Sequence, residues 1–124
     1  MKKLEIKQLN EKDEEIVNAL ISLGMSRPVA RVLAYLQQVN EVTSSELETG
    51  TNLRQPEVGL ATKQLKEYDW ITEREEKKPG KGRPFKIYKL KVGFMDIIAQ
   101  LEEQKKKAVD EMQERIKRLK ELGK

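Results

Sequence analysis

Apolar residues return every three or four positions in several stretches of this chain, which is the spacing of amphipathic helices. The first such stretch covers residues 11–23, and the second covers residues 26–39. Gly24 lies between them, and glycine commonly ends a helix. The pattern therefore predicts two helices that share one core. Residues 1–10 fit either a strand or the start of a helix.

A short helix, a turn and a longer helix are predicted next. Residues 43–45 are Thr-Ser-Ser, which are good helix N-caps, and they predict a short helix over 45–48. Gly50 follows in a Thr-Gly-Thr-Asn segment, where a left-handed conformation would end that helix. The longer helix is predicted over 54–68, with Pro56 in its first turn, where the missing N–H costs little. This order is typical of a helix-turn-helix.

The longer helix has an apolar face and a polar face. The apolar stripe is formed by Val58, Ala61 and Leu65. The opposite face is predicted to contact DNA through Arg54, Gln55, Pro56, Gly59, Thr62, Lys63 and Lys66. Arginine pairs well with guanine and glutamine with adenine in the major groove. Glu57 repels phosphate, so it either faces a cytosine amino group or points away. A solvated polar face is the alternative interpretation of this pattern.

A basic hairpin is predicted after this helix. Residues 70–74 and 85–90 are rich in β-forming types, and two Gly and two Pro make residues 77–84 a loop. Residues 71–91 carry eight basic and three acidic residues, whereas residues 1–70 carry nine and eleven. Such a tip suits a phosphate backbone or a narrow minor groove, and a solvated loop is the alternative. The candidate contacts are Lys77, Lys78, Lys81, Gly82, Arg83 and Lys86.

The last part of the chain, residues 94–122, is predicted to be one long helix. From Ile98 onward its apolar stripe advances in steps of three and four if Lys105, which falls in the stripe, is counted. The spacing has one stutter and is typical of a coiled-coil seam. The seam comprises Phe94, Ile98, Leu101, Ala108, Met112, Ile116 and Leu119. A helix this long cannot bury its stripe on so small a domain, so a second copy is expected to cover it. A helix folded back over its own domain is the alternative.

Composition narrows the function classes. The 124 residues carry a net charge of +4 and are 37% apolar and 37% charged, which favours one domain over 1–92 and an appended helix over 93–124. The chain has no Cys, so it has no thiolate nucleophile and no sulfur metal site. It has no His, so it also lacks the commonest general base and metal ligand. We therefore expect no enzyme, no cofactor and no metal. Without a signal peptide or a membrane-length apolar run, a cytoplasmic protein with no membrane partner is expected.

The run from residue 24 to residue 90 resembles the archaeal winged helix-turn-helix regulators of the TrmB type, and more distantly MarR and ArsR proteins. The matching motifs are Leu-Gly-Met-Ser at 23–26, Ala-Arg-Val-Leu-Ala-Tyr-Leu at 30–36, Thr-Ser-Ser-Glu-Leu at 43–47, Leu-Lys-Glu-Tyr-Asp-Trp-Ile at 65–71, and Gly-Arg-Pro at 82–84 with Tyr88 and Leu90. The chain departs from these families in two ways. It has no room for the sugar-binding domain of many TrmB regulators, and it lacks the Cys and His ligands of metal-sensing ArsR proteins.

The resemblance implies a mainly α (α+β) fold: a winged helix-turn-helix domain with a two-stranded wing and a long C-terminal dimerisation helix. We therefore expect a sequence-specific transcriptional regulator that binds double-stranded DNA as a homodimer at a palindromic site. Helix 54–68 would enter the major groove, and wing 77–84 would lie on the minor groove or the backbone. MarR-like dimers also leave room for a small-molecule effector between their DNA-binding and dimerisation parts, although no residue here identifies one.

Two other functions fit the same residues. The first alternative is a protein-interaction winged-helix module of the transcription machinery, whose wing binds an acidic protein surface. The second alternative is a non-specific architectural DNA-binding protein. Salt-sensitive DNA binding separates the first alternative from a regulator, and similar affinity for unrelated duplexes marks the second.

Overall fold

A computed structural model describes residues 8–77 and 84–124 of the chain. These residues form a mainly helical α+β fold of the winged-helix type with a long C-terminal helix, and the predicted fold class is confirmed. The elements are α1 Glu11–Ser22, α2 Arg27–Leu36, β1 Val42–Thr43, α3 Ser44–Thr51, α4 Gln55–Glu67, β2 Ile71–Glu76, β3 Phe85–Leu90 and α5 Phe94–Leu122. The chain divides into two compact units, one up to Gly93 and one from Phe94 onward.

Helix α1 begins and ends at residues whose side chains or backbone suit helix termini. The Asn10 side chain accepts from the Asp13 N–H at 2.9 Å, and the Asp13 carboxylate accepts from the Asn10 N–H at 3.0 Å, which is a capping box. Gly24 has φ 102°, and its N–H donates to the carbonyl of Ile21 at 2.9 Å. The predicted helix end at Gly24 is therefore confirmed, because glycine adopts this left-handed conformation without strain.

Helix α2 is the centre of the first unit, since its residues 29–36 are all buried. It ends at Leu36 rather than near Val39, because the chain turns at residues 37–38 and becomes extended at β1. Its one buried charge is Arg31, whose Nε donates to the Thr51 carbonyl at 2.8 Å. The same guanidinium pairs with Glu14 at 2.9 Å. Arg31 thus joins α1 and the end of α3 to the central helix.

Helix α3 is longer than predicted. Thr43 caps it, accepting from the Glu46 N–H at 3.1 Å while the Glu46 carboxylate accepts from the Thr43 N–H at 2.8 Å. The predicted break at Gly50 is wrong, since Gly50 is buried inside the helix. The left-handed residue is Asn52, with φ 56°. Asparagine tolerates this conformation better than most residues, so it supplies the turn in place of glycine.

Helix α4 has nearly the predicted bounds, and its end positions the hairpin. Asp69 has φ 64°, and its N–H donates to the Lys66 carbonyl at 2.9 Å. The Trp70 N–H donates to the Leu65 carbonyl at 3.1 Å, which completes a Schellman motif. The buried Trp70 ring also stacks on Tyr68, with centroids 4.6 Å apart. The chain therefore passes directly from α4 into β2.

The sheet has three antiparallel strands in the order β1-β3-β2. Strands β2 and β3 form the predicted hairpin, with a register that runs from Ile71 opposite Leu90 to Glu76 opposite Phe85. Strand β1 was not predicted, and it pairs Val42 with Tyr88 on the other edge of β3. A two-residue strand is too short to show alternation in a sequence.

Helix α5 forms the second unit. Its 29 residues run without interruption, which corresponds to a length of about 44 Å. It begins at Phe94 and ends at Leu122, as predicted. Every residue from Glu102 onward is exposed, so most of the helix shows its side chains to solvent.

Candidate nucleic-acid interface

Helix α4 buries one face and exposes the other. The three predicted stripe residues Val58, Ala61 and Leu65 are all buried, which confirms that side of the prediction. Six of the predicted contact residues are exposed on the outward side: Arg54, Gln55, Pro56, Gly59, Lys63 and Lys66. The buried stripe fixes the rotation of the helix, so these six positions stay outward as one surface.

Thr62 does not belong to this outward surface. It is only 3% exposed, and its hydroxyl lies 2.9 Å from the Val58 carbonyl oxygen, to which it donates. A hydroxyl satisfied within its own helix has no proton left for a base or a phosphate. The predicted placement was wrong because Thr62 lies four residues after Val58 and three before Leu65, on the flank of the buried stripe.

Leu60 is an outward residue that the sequence prediction missed. Leu60 is 66% exposed. The neighbouring Gly59 borders open space, since a Cβ atom added to it would meet nothing within 4 Å. Together with Pro56 these residues give the first half of the outward face an uncharged, partly apolar surface. Leu60 lies two residues after Val58, which places it on the opposite side of the helix, so its exposure could have been predicted from spacing. The prediction gave it no role because it is an apolar residue on a polar face.

Glu57 points away from the outward face. Its carboxylate accepts from the Arg54 N–H at 3.1 Å, at the start of α4. A carboxylate in this position satisfies a free donor and complements the positive helix end. Of the two interpretations given for Glu57, this contact favours the second, in which it does not face a base.

The basic residues near α4 fall into two groups. Lys66 donates to Glu73 at 2.9 Å, and Lys86 lies 3.8 Å from the other oxygen of the same carboxylate. By contrast, Arg54 and Lys63 make no ion pair with any residue in the described ranges 8–77 and 84–124. The charges of Arg54 and Lys63 are therefore not neutralised by an ion pair within the described residues.

The tip of the hairpin falls largely outside the described residues. Four of the predicted wing contacts, Lys78, Lys81, Gly82 and Arg83, lie there, so their placement stays a prediction. The two remaining contacts, Lys77 and Lys86, are exposed at the two sides of the hairpin. On strand β2, Arg74 forms a bidentate pair with Glu41 at 2.7 and 3.1 Å, which ties β2 to the start of β1.

A cleft of about 780 Å³ lies between the start of α3, the start of α4 and the base of the wing. Its walls are formed by Thr43, Ser44, Ser45, Glu46, Glu48, Gln55, Pro84, Phe85 and Lys86. The charge of this lining is mixed, and the Glu46 carboxylate is already held by the Thr43 N–H. Gln55 and Lys86 thus both line a concave surface at the start of α4.

The apolar stripe of α5 divides into two parts. Leu101 is buried and Phe94 and Ile98 are partly buried, and the place of these three residues in a dimer seam stays a prediction. The other four predicted seam residues, Ala108, Met112, Ile116 and Leu119, are exposed. Ile97, the neighbour of Ile98, is fully buried.

Neither a metal-binding cluster nor a membrane-spanning helix occurs among residues 8–77 and 84–124. No group of three or more His, Cys, Asp or Glu side chains there could hold a metal ion. No helix among these residues is long and apolar enough to cross a membrane.

Comparison with known proteins shows likeness at the level of the fold. No protein-family model and no curated protein sequence matches the chain. The structure of a possible transcriptional regulator from Methanosarcina mazei Go1 superposes with a TM-score of 0.63 at 16% identity, over 84% of this chain and 85% of that one. The transcriptional regulator PA4135 superposes with a TM-score of 0.51 at 20% identity, over 85% of this chain and 76% of that one. At these identities, the two superpositions show that the chain shares a fold with those proteins.

Proposed function

We propose that this protein is a sequence-specific DNA-binding transcriptional regulator that acts as a homodimer, similar to archaeal TrmB-type regulators. The carrying observation is the outward face of α4, which we call the recognition face and define as Arg54, Gln55, Pro56, Gly59, Leu60, Lys63 and Lys66. Because the opposite side of this helix is fully buried, the helix holds the recognition face rigidly. Such rigidity is needed to read base edges in a major groove.

The ends of the recognition face have different tasks in this proposal. Arg54 and Gln55 lie at the start of α4, and they carry the side chains best suited to guanine and adenine edges. Lys63 lies two turns later, where a phosphate is the natural partner of a free ammonium group. Because Arg54 and Lys63 have no ion-pair partner among the described residues, they can bind DNA without first giving up an internal contact.

The wing supplies the non-specific part of the affinity. The recognition face carries only three basic side chains, so the excess of basic residues over 71–91 is the main source of attraction to phosphate. Lys77 and Lys86 continue that charge at the ends of the two strands nearest the loop. The wing would lie on the minor groove or the backbone beside the groove that α4 enters.

The exposed stripe of α5 supports the homodimer. Met112 and Ile116 are 52% and 53% exposed, which is unusual for apolar residues that follow each other at helical spacing. Residues 92–124 carry eight basic and seven acidic residues, so two copies of α5 would not repel each other strongly. A two-fold dimer implies a palindromic site with half-sites ~10 bp apart or a multiple of this spacing.

The test is selection from a pool of random duplexes at two salt concentrations, followed by sequencing of the bound fraction. Enrichment of a palindrome is the expected result. Binding without enrichment would instead favour a non-specific architectural protein. Absence of binding even at low salt would move the assignment to a protein-interaction module, and the acidic residues Glu46 and Glu48 in the cleft would then be the first surface to examine.

Arg54→Ala is expected to weaken binding to the selected site by ~1–3 kcal/mol, with the loss concentrated at one or two base positions. Base readout fails locally, because only the positions that Arg54 contacts lose their preferred base. Arg27→Ala is the matched control, since Arg27 is also an exposed arginine at a helix start and its loss removes the same charge. Equal and uniform losses in both variants would show that Arg54 contributes charge and reads no base.

Leu60 is expected to contact the methyl group of a thymine. Replacing thymine by deoxyuridine removes only that methyl, so one position of the selected site should lose about 1 kcal/mol of affinity. Fluorescence anisotropy on a series of singly substituted duplexes measures this. The loss should disappear in Leu60→Ala, and a deoxyuridine effect that persists unchanged in that variant would assign methyl recognition to another residue.

A further inference from the structure

One carboxylate holds two of the lysines that face the candidate interface. Lys66, in the last turn of α4, donates to one oxygen of Glu73 at 2.9 Å, and the Lys86 ammonium lies 3.8 Å from the other oxygen. Glu73 lies on β2 opposite Tyr88, and Lys86 is two residues from Tyr88 on β3. Side chains alternate along a strand, so Glu73 and Lys86 share one face of the hairpin. The carboxylate therefore bridges the recognition face and the wing.

The environment of Glu73 keeps this bridge charged. Burial raises the pKa of Glu73, but the hydrogen bond and charge of Lys66 and the charge of Lys86 outweigh it, so the pKa is lowered overall. The same hydrogen bond from Lys66 to Glu73 raises the pKa of Lys66. Both partners are thus ionised near neutral pH, and each lysine already has an anionic oxygen beside it in the free protein.

We propose that Glu73 competes with DNA phosphate for Lys66 and Lys86, and so lowers the affinity of the protein for non-specific DNA. This inference rests on the proposed function. A lysine that must leave a carboxylate gains less from a phosphate than one that leaves only water, so non-specific contacts are weakened most. At the correct site, base contacts hold α4 in register, and fixed phosphates replace the carboxylate. Glu73 would therefore act as a specificity-determining residue that touches no DNA itself.

The experiment is Glu73→Gln in the full chain, titrated against an unrelated duplex and the selected site over a range of salt concentrations. The variant frees both lysines, so non-specific affinity should rise on the order of tenfold at low salt. The slope of log affinity against log salt should steepen by about 1 to 2, the value for one or two added phosphate contacts. The selected site should gain less, and the ratio of specific to non-specific affinity should fall. Circular dichroism confirms that the variant is folded.

Glu15→Gln is the matched control. Glu15 is exposed on α1, its loss changes the charge equally, and it makes no ion pair with a residue in the described ranges. Equal changes in E73Q and E15Q would reduce the effect to net charge and overturn the inference. So would an effect of E73Q that persists when Lys66 and Lys86 are both glutamine. Absence of binding by every form at low salt would overturn the proposed function as well, which distinguishes the two failures.

Discussion

Replacement of both Met112 and Ile116 by lysine is expected to convert the protein to a monomer and to weaken its binding to a duplex with two half-sites by ~10²–10⁴-fold. Both side chains are about half exposed on one face of α5, where a second copy would cover them. Lysine at these positions would place like charges in an apolar seam, and burying them unpaired is too costly for association. Sedimentation equilibrium measures the change in mass, and titration of one-site and two-site duplexes measures the affinities.

The control for this pair is Glu103→Gln with Glu114→Gln. Both glutamates are exposed and lie about half a helical turn from the seam, and their loss raises the net charge by the same two units. This variant should remain a dimer, and affinity for a single half-site should be the same in both variants. A lysine variant that still sediments as a dimer would place the interface elsewhere. A monomeric unmodified protein would overturn the homodimer.

The elements of the fold were predictable because most of them depend on local patterns. Gly24 ends α1, Pro56 opens α4, and the Gly- and Pro-rich segment after β2 separates two strands, each for a reason that a few neighbouring residues contain. The same holds for α5, whose length follows from an uninterrupted helical pattern. The prediction was wrong where two nearby residues could both adopt the left-handed conformation. Asn52, and not Gly50, supplies the left-handed turn after α3.

The features that were not predictable depend on contacts distant in sequence. Arg31 reads as a polar interruption of an apolar helix, and only the fold brings it to the end of α3, twenty residues away. The pairing of Lys66 with Glu73 similarly requires the sharp turn at Asp69, which brings the start of β2 back beside α4. From residue type alone, Arg31 and Lys66 would be expected to be solvated, but in the tertiary structure both are paired.

The candidate site shows the same division. The buried stripe of α4 was predictable from its spacing, and most of the outward face follows from that stripe. Thr62 was predicted to lie outward, but its spacing from Val58 and Leu65 places it inward, and it is buried. Leu60 was overlooked because it is apolar, although its spacing places it outward. In this helix, spacing is a better guide to orientation than polarity, because packing fixes the rotation of the helix as a whole.

Leu65→Ala is expected to lower the free energy of unfolding by ~2–5 kcal/mol. The Leu65 side chain is 0% exposed, and it lies where α4 turns toward the hairpin, with its carbonyl accepting from the Trp70 N–H at 3.1 Å. Alanine would leave a cavity in a close-packed core and also remove the apolar surface that orients the recognition face. Urea unfolding followed by circular dichroism measures the loss, at equal protomer concentration because association contributes to the stability of a dimer.

Leu60→Ala provides the comparison within the same helix. The chemical change is identical, the two sites are five residues apart, and Leu60 is 66% exposed, so its loss should change the free energy of unfolding by less than about 0.5 kcal/mol. The two variants should therefore have opposite phenotypes: Leu65→Ala loses stability, and Leu60→Ala loses the response to the thymine methyl while remaining stable. Similar stability losses in both would mean that α4 is rotated relative to this structure, and the recognition face would then have to be redefined, because every outward residue in it depends on that rotation.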